Sequence, residues 1–301
     1  MLAVLVLSAC ERTNVIVLPL EEQPITVTAD IAKHTKAGYE SGVLMPEKFV
    51  MDITQRGDSR INYSSVEMTK DAGTNTYSAP AGLELLWADD THAATVKAMT
   101  VPMGLTAVDA EGVMEVSVSL DQNDASNVAA SDLLGATSDS NGGITISDDN
   151  INIEFQHLLS KLDVKYEFGS EFAGSSVAVN SMTLQNVCTS GGYSYADMDY
   201  DNTGLEYGDI TMYHNASASA AEVIFYPYKP SQSPTLLINA TIDDVEYNFT
   251  CPVTAKSNGF VGGKRYTMTI SIVGSSVSGT DASIASGWDT DTDEESFTTE
   301  K

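Results

Sequence analysis

Between Ile151 and Phe168 the chain reads INIEFQHLLSKLDVKYEF, and both halves of that stretch alternate apolar with polar residues. Ile151, Ile153 and Phe155 share one phase and Asn152, Glu154 and Gln156 the other, which is the two-residue period of a half-buried strand. Leu162, Val164, Tyr166 and Phe168 alternate as cleanly with Lys161, Asp163, Lys165 and Glu167. The second half is one residue out of step with the first. Such a slip turns every later side chain to the opposite face, so a bulge or a change of strand is expected within 156–160. A helix through QHLLSKL has only Leu158, Leu159 and Leu162 in its favour, and the pattern is read as strand.

The same alternation recurs in ITVTADI (25–31), EKFVMDI (47–53), TVKAMTV (95–101), VMEVSVSL (113–120), VAVNSMTL (177–184), EVIFYPY (222–228), TLLINATI (235–242), VEYNFTCPV (245–253) and RYTMTISIV (265–273). The last two, joined by the loop around AKSNGFVGGK, are expected to form a long antiparallel hairpin. Short strands at regular spacing, with no long 3.6-residue period, predict an all-β chain built from β-sandwiches. Residues 129–150 are rich in Ser, Asp, Asn and Gly and read as a boundary. It separates an N-terminal sandwich (24–145) from a C-terminal one (146–301). The latter ends in a strand near 283–288 and an acidic tail.

Composition narrows the function classes. A length of 301 residues with 42% hydrophobic content supports about two domains with real cores. Lys and Arg total 15 against 42 Asp and Glu, a net charge of -27. Nucleic acid and anionic lipid, which both require a basic surface, are therefore excluded as partners. The first ten residues, MLAVLVLSAC, hold an apolar run far short of the about 20 residues that span a bilayer. They fit a signal peptide over 1–9. Leu7-Ser8-Ala9-Cys10 matches the bacterial lipobox, whose cysteine becomes the lipid-modified first residue of the mature chain. Residues 10–23 then form a tether. Cys188 and Cys251 are left as a pair, either a disulfide in an oxidising compartment or two buried thiols.

Reactive chemistry is sparse. No nucleophile elbow, P-loop, dinucleotide fingerprint or HExxH occurs, and the histidines at 34, 92, 157 and 214 have no ligand spacing; no cofactor is expected. Trp87 and Trp288 are candidate stacking platforms, with core packing as the competing reading. Tyr193 and Tyr195 lie in GGYSYADMDYD, a composition common in recognition loops. Asp197, Asp199 and Asp201 have the alternate-residue carboxylates of a calcium loop. Asn202 stands where that loop needs glycine and Gly208 where it needs a bidentate Glu, so a solvated loop is the alternative.

Several of these stretches, taken in order, resemble the fimbrillin family, lipoprotein-derived subunits of type V pili of Bacteroides-like bacteria. They are the lipobox Cys10; HTKAGYESGVLMPEKFVMDI; SDLLGATS followed by Phe155, His157, Leu159, Ser160 and Lys161; and GGKRYTMTISI followed by ASIASGW. The resemblance implies two transthyretin-like β-sandwich domains and export through the periplasm as an outer-membrane lipoprotein. It further implies assembly with other pilus subunits by donor-strand exchange, in which a protease removes an N-terminal strand and a neighbour's strand fills the groove. Here the removable strand would be 25–31, and the basic residues just after it are Lys33 and Lys36; the nearest downstream arginines are Arg56 and Arg60. Arginine-specific processing would need an arginine just after that strand, so an anchor, a tip adhesin or a stand-alone surface lipoprotein stands beside the shaft position. A host protein or glycan is a further partner under this reading. Two alternatives stand beside it: a glycan-binding surface lipoprotein that does not polymerise and uses Trp87, Trp288 or the tyrosine-rich loop, and a hydrolase with an unrecognised site.

Overall fold

The computed structural model describes residues 24–31, 45–55, 62–87, 94–100, 113–138, 144–147, 150–229, 234–254, 259–273, 276–279 and 283–284. The expected signal segment and tether, the acidic tail, Cys10, Lys33, Lys36 and Trp288 lie outside them.

The chain is all-β, as its alternation predicts. Up to His157 it forms β1 (Thr26–Ile31), β2 (Lys48–Gln55), β3 (Tyr63–Lys70), β4 (Thr76–Ser78), β5 (Ala94–Thr100), β6 (Val113–Ser117), the helix α1 (Ala125–Ser131), β7 (Leu134–Thr137), β8 (Ile144–Ser147) and β9 (Asn150–His157). Beyond it come β10 (Ser160–Phe168), β11 (Val177–Ser194), β12 (Asp199–Thr211), β13 (Tyr213–Asn215), β14 (Ala220–Phe225), β15 (Thr235–Ile242), β16 (Val245–Pro252), β17 (Arg265–Val273), β18 (Ser276–Gly279) and β19 (Ser283–Ile284). The phase slip in INIEFQHLLSKLDVKYEF is the gap between β9 and β10. Ile151, Ile153, Phe155 and His157 are buried before it and Leu162 and Val164 after it.

Two cores organise the strands. In the first sheet, pairing runs β1-β4-β3-β2-β5-β7-β9 and returns from β9 to β1, with β8 added on β9. This closed ring encloses Phe49, Tyr77, Trp87, Ile151 and Phe155. Phe49 meets Phe155 edge-on at 5.2 Å and Tyr77 at 4.7 Å between ring centres. The second core lies between two sheets, β13-β14-β10-β17-β18 and β12-β11-β15-β16. Leu162, Val164, Met268 and Ile270 from one meet Met182, Leu184, Leu236 and Ile238 from the other.

A single cut at 145/146 does not describe core membership. β9 belongs to the first ring, whereas β6 pairs with β11 in the second unit. Met114, Val116, Val128 and Leu133 are in the second core, and Leu134 returns the chain to the first. Adjacent residues of an extended chain point opposite ways, so Leu133 and Leu134 fill different cores. The crossing at Leu133–Leu134 lies beside the one at His157–Leu159: the Leu158 N–H donates to the Leu133 carbonyl at 2.8 Å. The buried His157 Nδ1 lies 2.9 and 3.1 Å from the two oxygens of the buried Asp132 carboxylate.

Three expectations are corrected. β16 and β17 do not form a hairpin: β16 pairs with β15 through a turn whose Asp243 and Asp244 both have positive φ, and β17 runs parallel to β10 in the other sheet. The stretch expected to be a boundary carries part of α1 and all of β7, and its Leu133 and Leu134 are fully buried. Residues 199–211 are a strand, not a loop.

Candidate functional site

β1 closes the first ring without a hairpin of its own. Its alternation points Ile25, Val27, Ala29 and Ile31 into the core. Burying each of the larger of these contributes about 1.5–3 kcal/mol. Its backbone runs parallel to β9 over six residue pairs, from Thr26↔Asn150 to Ile31↔Phe155. On the other edge it pairs with β4 only at Val27↔Tyr77 and Thr28↔Thr76. Single bonds from Ile25 N–H to the Leu85 carbonyl (2.8 Å) and from Ala29 N–H to the Asn75 carbonyl (3.1 Å) extend that side. The Thr28 hydroxyl donates to Asn152 Oδ1 at 2.7 Å. A cleft of about 500 Å³ lies along the start of β1, walled by Met68, Asp71, Tyr77 and Leu85.

The arrangement is chemically simple. A strand filling a slot between two others offers main-chain hydrogen bonds and alternating apolar pockets, the two elements of β-strand addition. If β1 leaves, β9 and β4 each expose an unpaired backbone edge. Nothing in this geometry requires a reactive side chain.

The other sequence-nominated residues have structural positions. Trp87 is wholly buried in the first core and Tyr193 in the second, which settles both as packing. Tyr195 is half-buried and its hydroxyl donates to the Lys97 carbonyl on β5 at 3.1 Å, while Lys97 Nζ donates to the Ala196 carbonyl. The loop joining β11 to β12 therefore holds the second unit against the first sheet. Burial raises the pKa of both Tyr193 and Tyr195.

Asp197, Asp199 and Asp201 do not converge. Asp197 sits in the turn, where its Oδ2 accepts from Ser194 Oγ at 2.8 Å; Asp199 begins β12 and accepts from the Tyr200 N–H. Met198 between them has a φ of 54°, which breaks the alternate-residue spacing. Among the described residues no group of three His, Cys, Asp or Glu could hold a metal ion.

Cys188 and Cys251 are free and buried. Cys251 faces Leu236 on β15, and Leu236 faces Leu184 on β11, four residues short of Cys188. Two strand spacings of about 4.8 Å already exceed the about 7 Å limit between bridgeable Cα atoms. Burial pushes the Cys188 thiol up to about 12.

Sequence reading missed the group around Lys161. This residue lies on the polar phase of β10 yet is fully buried. Its Nζ is 2.9 Å from Glu222 Oε2 on β14 and 3.6 Å from Asp163 Oδ1, and Asp163 in turn binds Arg265 of β17. Burial raises the Glu222 pKa, with Lys161 opposing the shift. The hints in the sequence were the opposite-charge alternation of Lys161, Asp163 and Lys165 and the place of Lys161 in the Leu159-Ser160-Lys161 run that carries the family resemblance.

The model of the family described as fimbrillin-like matches residues 13–288. No curated protein matches the chain. Among solved structures, a candidate cell adhesion protein from Bacteroides ovatus aligns with a TM-score of 0.64 at 14% identity, over 89% of this chain and 98% of that one. Another candidate cell adhesion protein, from Bacteroides uniformis, gives 0.60 at 17% identity, over 88% and 98%. At such identities the likeness is one of fold.

Proposed function

Because the chain belongs to the fimbrillin-like family, we propose that it is a non-enzymatic subunit or adhesin of a cell-surface pilus, exported as a lipoprotein through Cys10 and joined to other subunits by donor-strand exchange. The observation that supports this reading is the placement of β1. It is an N-terminal strand, buried through one row of apolar side chains, held by one six-pair ladder and one two-pair ladder, and inserted between strands far from it in sequence. Cleavage after Lys33 or Lys36 would cut the chain between β1 and β2 and leave β1 held by non-covalent contacts alone. A strand from a neighbouring subunit would then satisfy the same backbone edges on β9 and β4.

Limited digestion of the full chain with a lysine-specific protease tests the reading. The expected result is cleavage at Lys33 or Lys36, loss of the β1 fragment by mass spectrometry, and filaments or oligomers in negative-stain electron microscopy. A cleaved protein that retains β1 and stays monomeric would refute strand exchange. The glycan-binding alternative loses Trp87 and Tyr193 to the cores and most of Tyr195 to its contact with β5.

A further inference from the structure

The outward face of the β13-β14-β10-β17 sheet holds a second feature, independent of β1. Tyr213 stands opposite Glu222, and Glu222 opposite Asp163, in one row across three strands. Arg265 extends the row from β17, donating from Nε to Asp163 Oδ2 at 2.5 Å. Beside the row, Ala218 and Ala220 supply no bulk, and a hollow of about 290 Å³ results, rimmed by Asn215 and Lys165. That volume lies just below the usual range of ligand sites, about 300–1,000 Å³, and suits a ligand of one small ring.

From this we propose that the hollow between Tyr213 and Arg265 is a binding site for a neutral, hydroxyl-rich ring, a single sugar unit of a glycan. Charge selects the class. Glu222 already has Lys161 and Asp163 already has Arg265, so a cation finds both carboxylates neutralised, and an anion must approach those two carboxylates with only the exposed Lys165 at the rim to offset them. Hydrogen bonding selects it further. Glu222 Oε1 and Asp163 Oδ1 are buried and accept no hydrogen bond. The last torsion of a carboxylate is soft, so each can turn between its cation and a ligand hydroxyl. A hydroxyl supplies the missing donor without charge. The half-buried Tyr213 ring offers an apolar face to the C–H side of a sugar, and Asn215 offers both a donor and an acceptor. The fully buried Lys161 and the Arg265 fork keep the two carboxylates at the wall of the hollow before any ligand arrives, so that only a small turn of each is left to make.

The full-length protein is titrated by calorimetry and saturation-transfer NMR with free glucose, galactose, mannose and N-acetylglucosamine, and with glucosamine and sialic acid as charged probes. At least one neutral sugar is expected to bind. Tyr213→Ala should weaken it about tenfold or more. Ala220→Leu, which fills the hollow from its solvent side, should abolish binding, and this variant is expected to keep the parent unfolding midpoint. No binding by any neutral sugar, unchanged binding in Ala220→Leu, or tighter binding of a charged probe would each overturn the assignment. Because β1 plays no part in the hollow, failure here leaves strand exchange untouched, and the reverse also holds.

Discussion

β1 and β10 are both apolar, alternating strands placed between two neighbours, yet they are held in different ways. β1 has a long ladder on one side only and buries apolar side chains on one face. β10 pairs over six residues with β14 and eight with β17, and carries a fully buried lysine on the face opposite its apolar row. The closed ring gains continuity from β1 but ties it loosely, whereas the second unit is locked from both faces of β10. A strand that must be replaceable needs the first arrangement; a strand that anchors the rest needs the second. The difference predicts that damage at β10 is large and affects the second unit, and that damage at β1 is smaller and stays in the ring.

The largest effect is expected from Lys161→Met. It leaves Glu222 buried without its cation, which costs about 3–5 kcal/mol, measured by urea denaturation at pH 7. The double variant Lys161→Met with Glu222→Leu should recover most of that loss, because an apolar pair of similar volume avoids the desolvation of both charges. The pH dependence follows from Glu222. Burial raises its folded pKa, so the folded state takes up a proton more readily than the unfolded one, and stability is lost as pH rises through the folded value. Removing Lys161 removes the opposing influence, so the single variant should regain stability on acidification from about pH 7 toward pH 5. A flat profile would show that Glu222 escapes to solvent in the variant.

Ile31→Ala addresses the looser strand. Ile31 is buried at the end of β1, opposite Phe155, and the truncation should cost about 2–5 kcal/mol, toward the lower figure if the ring collapses around the gap. Hydrogen exchange separates the two units: protection should fall in β1, β4 and β9 and remain in β10 and β17. Equal loss in both units would mean that β1 supports the whole molecule, and the contrast drawn above would fail.

The contrast was half legible in the sequence. Alternation located β1, β2, β5, β15 and β17 because each buries a regular row, and the phase slip at 156–160 located the change of strand between the cores; β16 shows the same alternation but buries only Phe249 and Cys251 and leaves Val245 and Tyr247 exposed. It did not reveal β12, whose DYDNTGLEYGDIT is polar because the strand lies at a sheet edge. Nor did it reveal partners. VEYNFTCPV and RYTMTISIV follow one another in the chain but enter different sheets, and pairing depends on loop paths that periodicity does not encode. His157 has no ligand spacing in the sequence; its reason is Asp132, 25 residues earlier, at the neighbouring crossing. Trp87 and the tyrosines of the β11–β12 loop were nominated by residue type, and residue type does not distinguish a ring in the core from one on the surface.

The smallest expected effect sharpens the comparison most closely, because the two units contain the same local device. In the first ring, Asp52 of β2 stands opposite a two-residue bulge, Ser64-Ser65, between the pairs Met51↔Val66 and Ile53↔Tyr63. In the second unit, Asp209 of β12 stands opposite Gln185-Asn186, between Leu184↔Ile210 and Val187↔Gly208. The second bulge residue is left-handed in both, Ser65 with φ 52° and Asn186 with φ 55°. In each case its N–H donates to the facing aspartate, at 2.5 and 2.9 Å. Left-handed backbone costs an ordinary L-residue about 1–2 kcal/mol, less for asparagine, which is enriched there. Ser65→Gly should therefore raise stability by up to about 1 kcal/mol, the strain relief being partly offset by the greater unfolded-state freedom of glycine. Asn186→Gly should change it by about 0.5 kcal/mol or less, since asparagine already tolerates the conformation. Unfolding midpoints of the two variants read the difference directly. If both glycines stabilise equally, the aspartate bond and not the residue's own preference sets the left-handed turn, and the two bulges are the same device with interchangeable second residues.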